Sequence, residues 1–346
     1  MSLSFASDNC APVPQQILDA VARVNSGAMP SYGSDPETAA VEARFREIFD
    51  WPEARVFLVA SGTAANALAL SVLCPPYGTV FCSEVAHVHE DECNAPEFYT
   101  GGARLTLVRG GDVMTPEALR TALAAEGNRG VHGPKRAAVS VTNVTEMGNV
   151  YKLDELSALG AVAREHGLPV HLDGARLPMA CEKLACTPKA MAEALGAEVV
   201  VFGGTKVGAM DVEAIVLRDG ARADEMHYRI KRGGHLNSKG RYMAAQMAAL
   251  LEDDLWHDLA ARANARCGIL RARIEDLGVE VINASHANML FIRLPVRVHE
   301  ALKARGVVHF FDSGAPEDVV AGRLVCDWST SEDQVAGFLD ALRMAL

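Results

Sequence analysis

Val200-Val201-Phe202-Gly203-Gly204-Thr205-Lys206 carries an apolar, β-branched segment into two glycines and a single lysine. Such a run reads as a buried strand whose carboxyl end breaks at the glycines. The lysine then stands on a rigid sheet edge, where small neighbours let something bulky come close. Partly desolvated there, Lys206 can lose its proton and act as an amine nucleophile, as Schiff-base enzymes require. A plain surface lysine after a buried strand is the alternative.

The same grammar extends on both sides. Strands are expected at 56–60, 79–83, 105–108, 137–144, 169–172, 198–202 and 214–217, with helices between them. One helix is the alanine-rich 64–73, and another repeats Leu153-x-x-Leu156-x-x-Leu159 until Gly167 and Pro169 stop it. Near-continuous apolar strands alternating with helices predict an α/β fold, a mostly parallel central sheet covered by helices on both faces. Functional groups should then gather at the strand carboxyl ends.

Residues 12–50 read as helical around a polar, glycine-punctuated loop, 25–36, that carries Tyr32. Residues 221–250 read as a basic, glycine-broken connection. A long helix at 253–277 follows, then strands at 279–282, 288–294, 307–311 and 323–328. The last helix opens on a Ser331-x-x-Gln334 capping box. The expected division is a large cofactor-binding domain, 1–245, that includes the N-terminal segment, and a small α+β domain, 246–346.

Composition narrows the function classes. Of 346 residues, 49% are hydrophobic and 22% charged, as in ordinary soluble domains. A formal charge of -11 argues against nucleic acid or an anionic membrane as partner, so an anionic substrate needs locally placed arginines. No apolar stretch approaches the roughly 18 residues of a membrane span. Residues 1–11 lack the basic start and apolar run of a secretory signal. Eight scattered cysteines without a CxxC pair read as reduced thiols of a cytoplasmic protein.

Two further stretches share a requirement with Lys206. Asp173, in Val170-His171-Leu172-Asp173-Gly174-Ala175-Arg176, ends a predicted buried strand, and a buried carboxylate needs a partner. Either Arg176 pairs with it locally, or it keeps a pyridinium nitrogen protonated, as pyridoxal phosphate needs to serve as an electron sink. Ser61-Gly62-Thr63 lies between a strand and a helix N-terminus, where free N–H groups and the dipole suit a phosphate. It is also good N-capping chemistry. His87-Val88-His89-Glu90-Asp91-Glu92-Cys93 looks like a metal cluster if His-x-His lies on one face of a strand, but the second half of a zinc set is missing nearby, and no metal is expected.

At this point the chain resembles the L-threonine aldolases, pyridoxal-phosphate enzymes of the aspartate-aminotransferase type of fold. The resemblance spans essentially the whole chain. It is carried by Ser7-Asp8-Asn9, Tyr32-Gly33-x-Asp35, Ser61-Gly62-Thr63-Ala64-Ala65-Asn66, Glu84-Val85-Ala86-His87, Asp173-Gly174-Ala175-Arg176, Gly203-Gly204-Thr205-Lys206 and Asn288-Met289-Leu290-Phe291. It implies retro-aldol cleavage of a β-hydroxy-α-amino acid to glycine and an aldehyde, with no bound metal. Lys206 would hold the cofactor as a Schiff base, Asp173 its ring nitrogen, and Ser61, Gly62 and Thr63 its phosphate. His87 would stack on the ring, with Thr205 and Arg176 also on the cofactor side. Ser7, Arg176 and Arg323 would take the substrate carboxylate. Two subunits would share each site in a homo-oligomer, so that Tyr32 and the basic segment near Lys231 reach across. One departure stands out: many relatives have a histidine after the strand ending near Asn143, and here Thr145-Glu146-Met147-Gly148 offers Glu146 as base or hydroxyl-binding group. A β-eliminating lyase on the same scaffold is the rival reading, and a non-catalytic pyridoxal-phosphate-binding protein a third.

Overall fold

Seven strands form the central sheet of the computed structural model, which describes residues 3–346. Met1 and Ser2, the start of the segment read as lacking a secretory signal, lie outside the described residues. Across the sheet the order is Arg55–Val59, Glu213–Leu217, Val199–Gly203, Val170–Asp173, Lys135–Thr142, Gly78–Ser83 and Arg104–Val108. Glu213–Leu217 runs antiparallel to both neighbours, and the remaining pairs are parallel. The expected α/β architecture is therefore present.

The Val199–Gly203 strand explains its own composition. Val200 and Phe202 face a core that includes Phe45 and Trp256, with Phe202 edge-on to Phe45 at 5.3 Å. Val199 and Val201 face the other core, with Ala65, Leu68 and Ile215. A strand covered on both faces has no polar side, which makes its sequence a run rather than an alternation.

A second, antiparallel sheet joins Phe310–Phe311, Val319–Val325, Met289–Pro295 and Glu280–Val281. Helices Leu255–Asp276 and Glu332–Ala345 cover it, and the Ser331/Gln334 capping box is made in both directions.

Three expectations are corrected here. Residues 221–250 are mostly helical, Ala223–Arg232 and Arg241–Leu251, with glycines only between them. Asp224 and Glu225 at the start of the first helix, and Arg229, Lys231 and Arg232 at its end, suit its dipole. The single strand expected at 307–311 is two: Val307–Val308 pairs in parallel with Leu3–Ser4, while Phe310–Phe311 pairs with Val319–Val325. The N-terminal segment, expected with the large sheet, adds that Leu3–Ser4 strand and buries Phe5 against Phe338 at 5.2 Å in the C-terminal core. No helix among the described residues is long and apolar enough to cross a membrane.

Candidate active site

Lys206, Asp173, Gly62, His87, Glu146 and Arg176 line one cleft. Lys206 follows the Val199–Gly203 strand and Asp173 ends the adjacent one. Gly62 opens the helix Gly62–Leu73. Chain reversal at these strand ends is what brings together residues more than a hundred positions apart.

Burial pushes the Lys206 amine below its ordinary value, with Arg176 adding to the effect, against the opposing pull of Asp8, Asp173 and Glu213. Among the described residues, nothing lies within hydrogen-bond or ion-pair reach of that amine. An unpartnered, desolvated amine is a nucleophile in waiting. The glycines before it have a different task from the one expected. A Cβ on Gly203 would collide with the backbone of Ala175, and one on Gly204 with the carbonyl of Val212. They allow close packing behind the site rather than room in front of it.

Asp173 is buried, and its partners are neutral. Oδ1 accepts the Ala175 N–H at 3.0 Å, and Oδ2 accepts from the Asn66 side-chain amide at 2.9 Å. The local pair with Arg176 is not formed. Arg176 instead donates through Nε and Nη2 to Asp8, at 2.7 and 3.0 Å, and Asn288 donates to the same carboxylate at 3.0 Å. Burial alone would push Asp8 up, yet Arg176 beside it, helped by Lys206 and Asn288, holds its carboxyl below the usual range.

At the helix start, the Ser61 hydroxyl accepts from the Ala64 N–H at 3.2 Å, so the expected cap is present. Above Gly62 there is open space for a Cβ and more. His87 begins the short helix His87–Glu90, so His87 and His89 do not share a strand face as the metal reading required. The backbone N–H of His87 donates to Glu146 Oε1 at 2.7 Å, and its ring Nδ1 lies 2.9 Å from Glu92 Oε1. That bond to Glu92 raises the imidazole, burial opposes it, and Asp173 adds to the rise. Burial pushes the Glu146 carboxyl up to about 7, with the charge of Asp173 adding.

Three of the remaining candidates, Arg323, Ser7 and Thr205, stand around this centre. Arg323 lies over the Phe310 ring at 5.0 Å and donates through Nη2 to the Ala6 carbonyl at 3.0 Å, which leaves its buried Nε unpartnered. Ser7 accepts from the Asn9 N–H at 3.2 Å as a local cap. Thr205 lies in the lysine turn beside Glu213. Tyr32 is elsewhere: it is exposed, lies under Lys231 with the ammonium 4.7 Å from its ring, and lines a separate hollow with Gly33 and Ile230. Asn66, Glu92, Asp8 and Asn288 received no role from sequence reasoning, although all stood within quoted motifs. In the sequence Glu92 reads only as part of a metal-like cluster.

The donor set fits pyridoxal phosphate. It offers a free amine for an aldehyde, a buried carboxylate for a ring nitrogen, and an open helix N-terminus for a phosphate.

The chain is similar to known proteins over nearly its whole length. The family model described as beta-eliminating lyase matches residues 4–296. A low-specificity L-threonine aldolase of a Pseudomonas species is 39% identical over 96% of this chain and 95% of its own length. That of Pseudomonas aeruginosa is 38% identical over 99% and 97%. The solved structure of a Leishmania major threonine aldolase superposes with a TM-score of 0.92 at 28% identity, covering 99% of both chains.

Proposed function

The chain belongs to the beta-eliminating lyase family, and from that premise we propose a pyridoxal-phosphate-dependent carbon–carbon lyase of the L-threonine aldolase type. Its substrates are L-threonine, L-allo-threonine or related β-hydroxy-α-amino acids, aryl-serines included, and its products are glycine and an aldehyde. The observation that carries this reading is the unpartnered Lys206 amine sharing a cleft with buried Asp173 and the open start of the Gly62–Leu73 helix.

When bound, pyridoxal phosphate supplies an aldehyde and an electron-accepting pyridine ring. Lys206 would hold the aldehyde carbon, Asp173 the ring nitrogen, and the N–H groups at Gly62 and Thr63 the phosphate, with Ser61 fixing that turn. His87 would lie on the ring face. Arg323, through its unpartnered Nε, would grip the substrate carboxylate beside Ser7, and Arg176 would supply positive charge from its seat on Asp8. Glu146 would take the proton of the β-hydroxyl as the Cα–Cβ bond breaks and the aldehyde leaves. A proton returned to Cα completes glycine.

We read the protein as a cytoplasmic homo-oligomer with shared sites. Eight free cysteines, five of them buried, support the reducing compartment. The deciding experiment incubates the holoenzyme with L-threonine, L-allo-threonine and a β-phenylserine and measures glycine. Release of ammonia and a keto acid in place of glycine and an aldehyde would transfer the protein to the β-eliminating reading.

A further inference from the structure

Glu92 is buried, with a side chain that has no exposure at all. A lone glutamate in that position is costly unless its contacts return the lost hydration. One oxygen, Oε1, holds two partners: His87 Nδ1 at 2.9 Å and Asn66 Nδ2 at 2.8 Å. The same amide nitrogen of Asn66 reaches Asp173 Oδ2 at 2.9 Å. Both Asn66 hydrogens are thus committed, one to each carboxylate, and both carboxylate oxygens must be acceptors.

The acceptor role of Oε1 decides the histidine's proton. Facing an acceptor, His87 Nδ1 carries its hydrogen, which leaves Nε2 as the ring nitrogen free to exchange a proton. We propose that Glu92 is a positioning residue that fixes the tautomer and orientation of His87, and that Asn66 ties this pair to Asp173. The inference rests on the aldolase reading, in which His87 lies on the cofactor ring, but the chain Asp173–Asn66–Glu92–His87 itself stands on contacts within the protein.

Four charged groups face the imidazole: Glu92 on its Nδ1 side, Glu146 under its backbone N–H, and Asp173 and Lys206 across the cleft. Glu92 is the one in direct contact with the ring. Its removal should therefore be felt first in the titration of His87 and only through it in turnover.

The test is Glu92→Gln in the holoenzyme, because glutamine keeps the shape and an oxygen acceptor but not the charge. His87 is followed by NMR of 13C-labelled histidine and assigned by the signal lost in His87→Asn. Its midpoint should fall by about a unit or more. In the same variant kcat should drop roughly 10- to 100-fold, with KM changing far less. Glu92→Asp, too short to reach both partners, should recover the charge without recovering the rate. An unchanged His87 midpoint in a folded Glu92→Gln protein would overturn the inference, as would wild-type kcat. Failure of the aldolase reading looks different: the wild-type holoenzyme would release no glycine, while the His87 shift could still be present. Should Glu92→Gln not fold, Asn66→Ser provides the second arm, since it cuts the tie to Asp173 and leaves the Glu92–His87 contact. That variant should keep a raised His87 midpoint and yet lose rate, and retention of full rate would remove Asn66 from the relay.

Discussion

Glu146 is where a residue's surroundings bear most directly on chemistry. Its carboxyl is pushed from 4.5 up to about 7 by burial, so it exchanges its proton in the range where a general base is useful. The two consequences have opposite signs. For activity, the ionised form that accepts a proton from the β-hydroxyl appears as pH rises toward 7, so kcat should climb through that range. For stability, a carboxyl with a raised folded value favours the native state below its unfolded value. That contribution is lost as pH rises from 4.5 through about 7. Glu146→Gln should lower cleavage by about 100-fold, flatten the acid limb of the kcat profile and leave cofactor binding intact. Steady-state rates between pH 5 and 9, beside the visible absorption of the bound cofactor, check it. An unchanged rate removes Glu146 from the reaction.

Single residues were legible in the sequence when their chemistry is local. Lys206 after its glycines, Asp173 at a strand end and Ser61 at a helix start each carry their signal within a few neighbours. Asn66 and Glu92 do not. The Asn66–Asp173 contact spans 107 positions, and nothing near either residue indicates it. Glu92 sits in a stretch rich in histidine and acid, which imitates a metal cluster until the short His87–Glu90 helix turns the two imidazoles to different faces.

At the scale of elements, the glycines of the opening segment matter most. Gly203 ends its strand against the backbone of Ala175, which lies just after Asp173. The lysine turn and the carboxylate turn are therefore in direct contact through a position that admits no side chain. Gly203→Ala should cost about 1–3 kcal/mol, because the obstacle is backbone and cannot rotate aside. Urea unfolding would measure it. A loss within a few tenths of wild type would show that the two turns can part without penalty.

The elements of the central sheet follow from the sequence almost strand by strand, since both-face burial leaves continuous apolar runs bounded by glycine and proline. Where the reading fell short, the pattern was mixed. Ala223–Arg232 reads as a basic connection from its charge and the glycines after it, yet as a helix it buries Ala223, Met226 and Ile230. Val307 to Phe311 has the composition of one strand, but its halves pair with different partners, one of them near the N-terminus. Pairing of that kind is a property of the fold and has no local code.

At the scale of the molecule, the cleft is where three parts of the chain meet. The N-terminal segment brings Asp8, the turn after the Val170–Asp173 strand Arg176, and the residue just before the Met289–Pro295 strand Asn288, and these three are joined by hydrogen bonds. The buried pair holds the small sheet, with Arg323, in register with Lys206 and Asp173. Tyr32 and Lys231 remain outside this arrangement, stacked on each other at an exposed surface away from the cleft. Neither lines the cleft that holds Lys206 and Asp173, so the part the resemblance gives them would be played in a neighbouring subunit. If the homo-oligomer shares sites in this way, inactive variants should rescue one another. Lys206→Ala removes the nucleophile of a subunit's own cleft, and Lys231→Ala removes the contribution to its neighbour's. Mixed after mild dissociation, the two form heterodimers in which one site draws both defects and the other is intact. With random pairing, about a quarter of wild-type activity should return. The readout is glycine release from the mixture against each variant alone. A Lys231→Ala protein of full activity would dismiss Lys231, while an inactive one that the mixture cannot rescue would place its effect within its own chain.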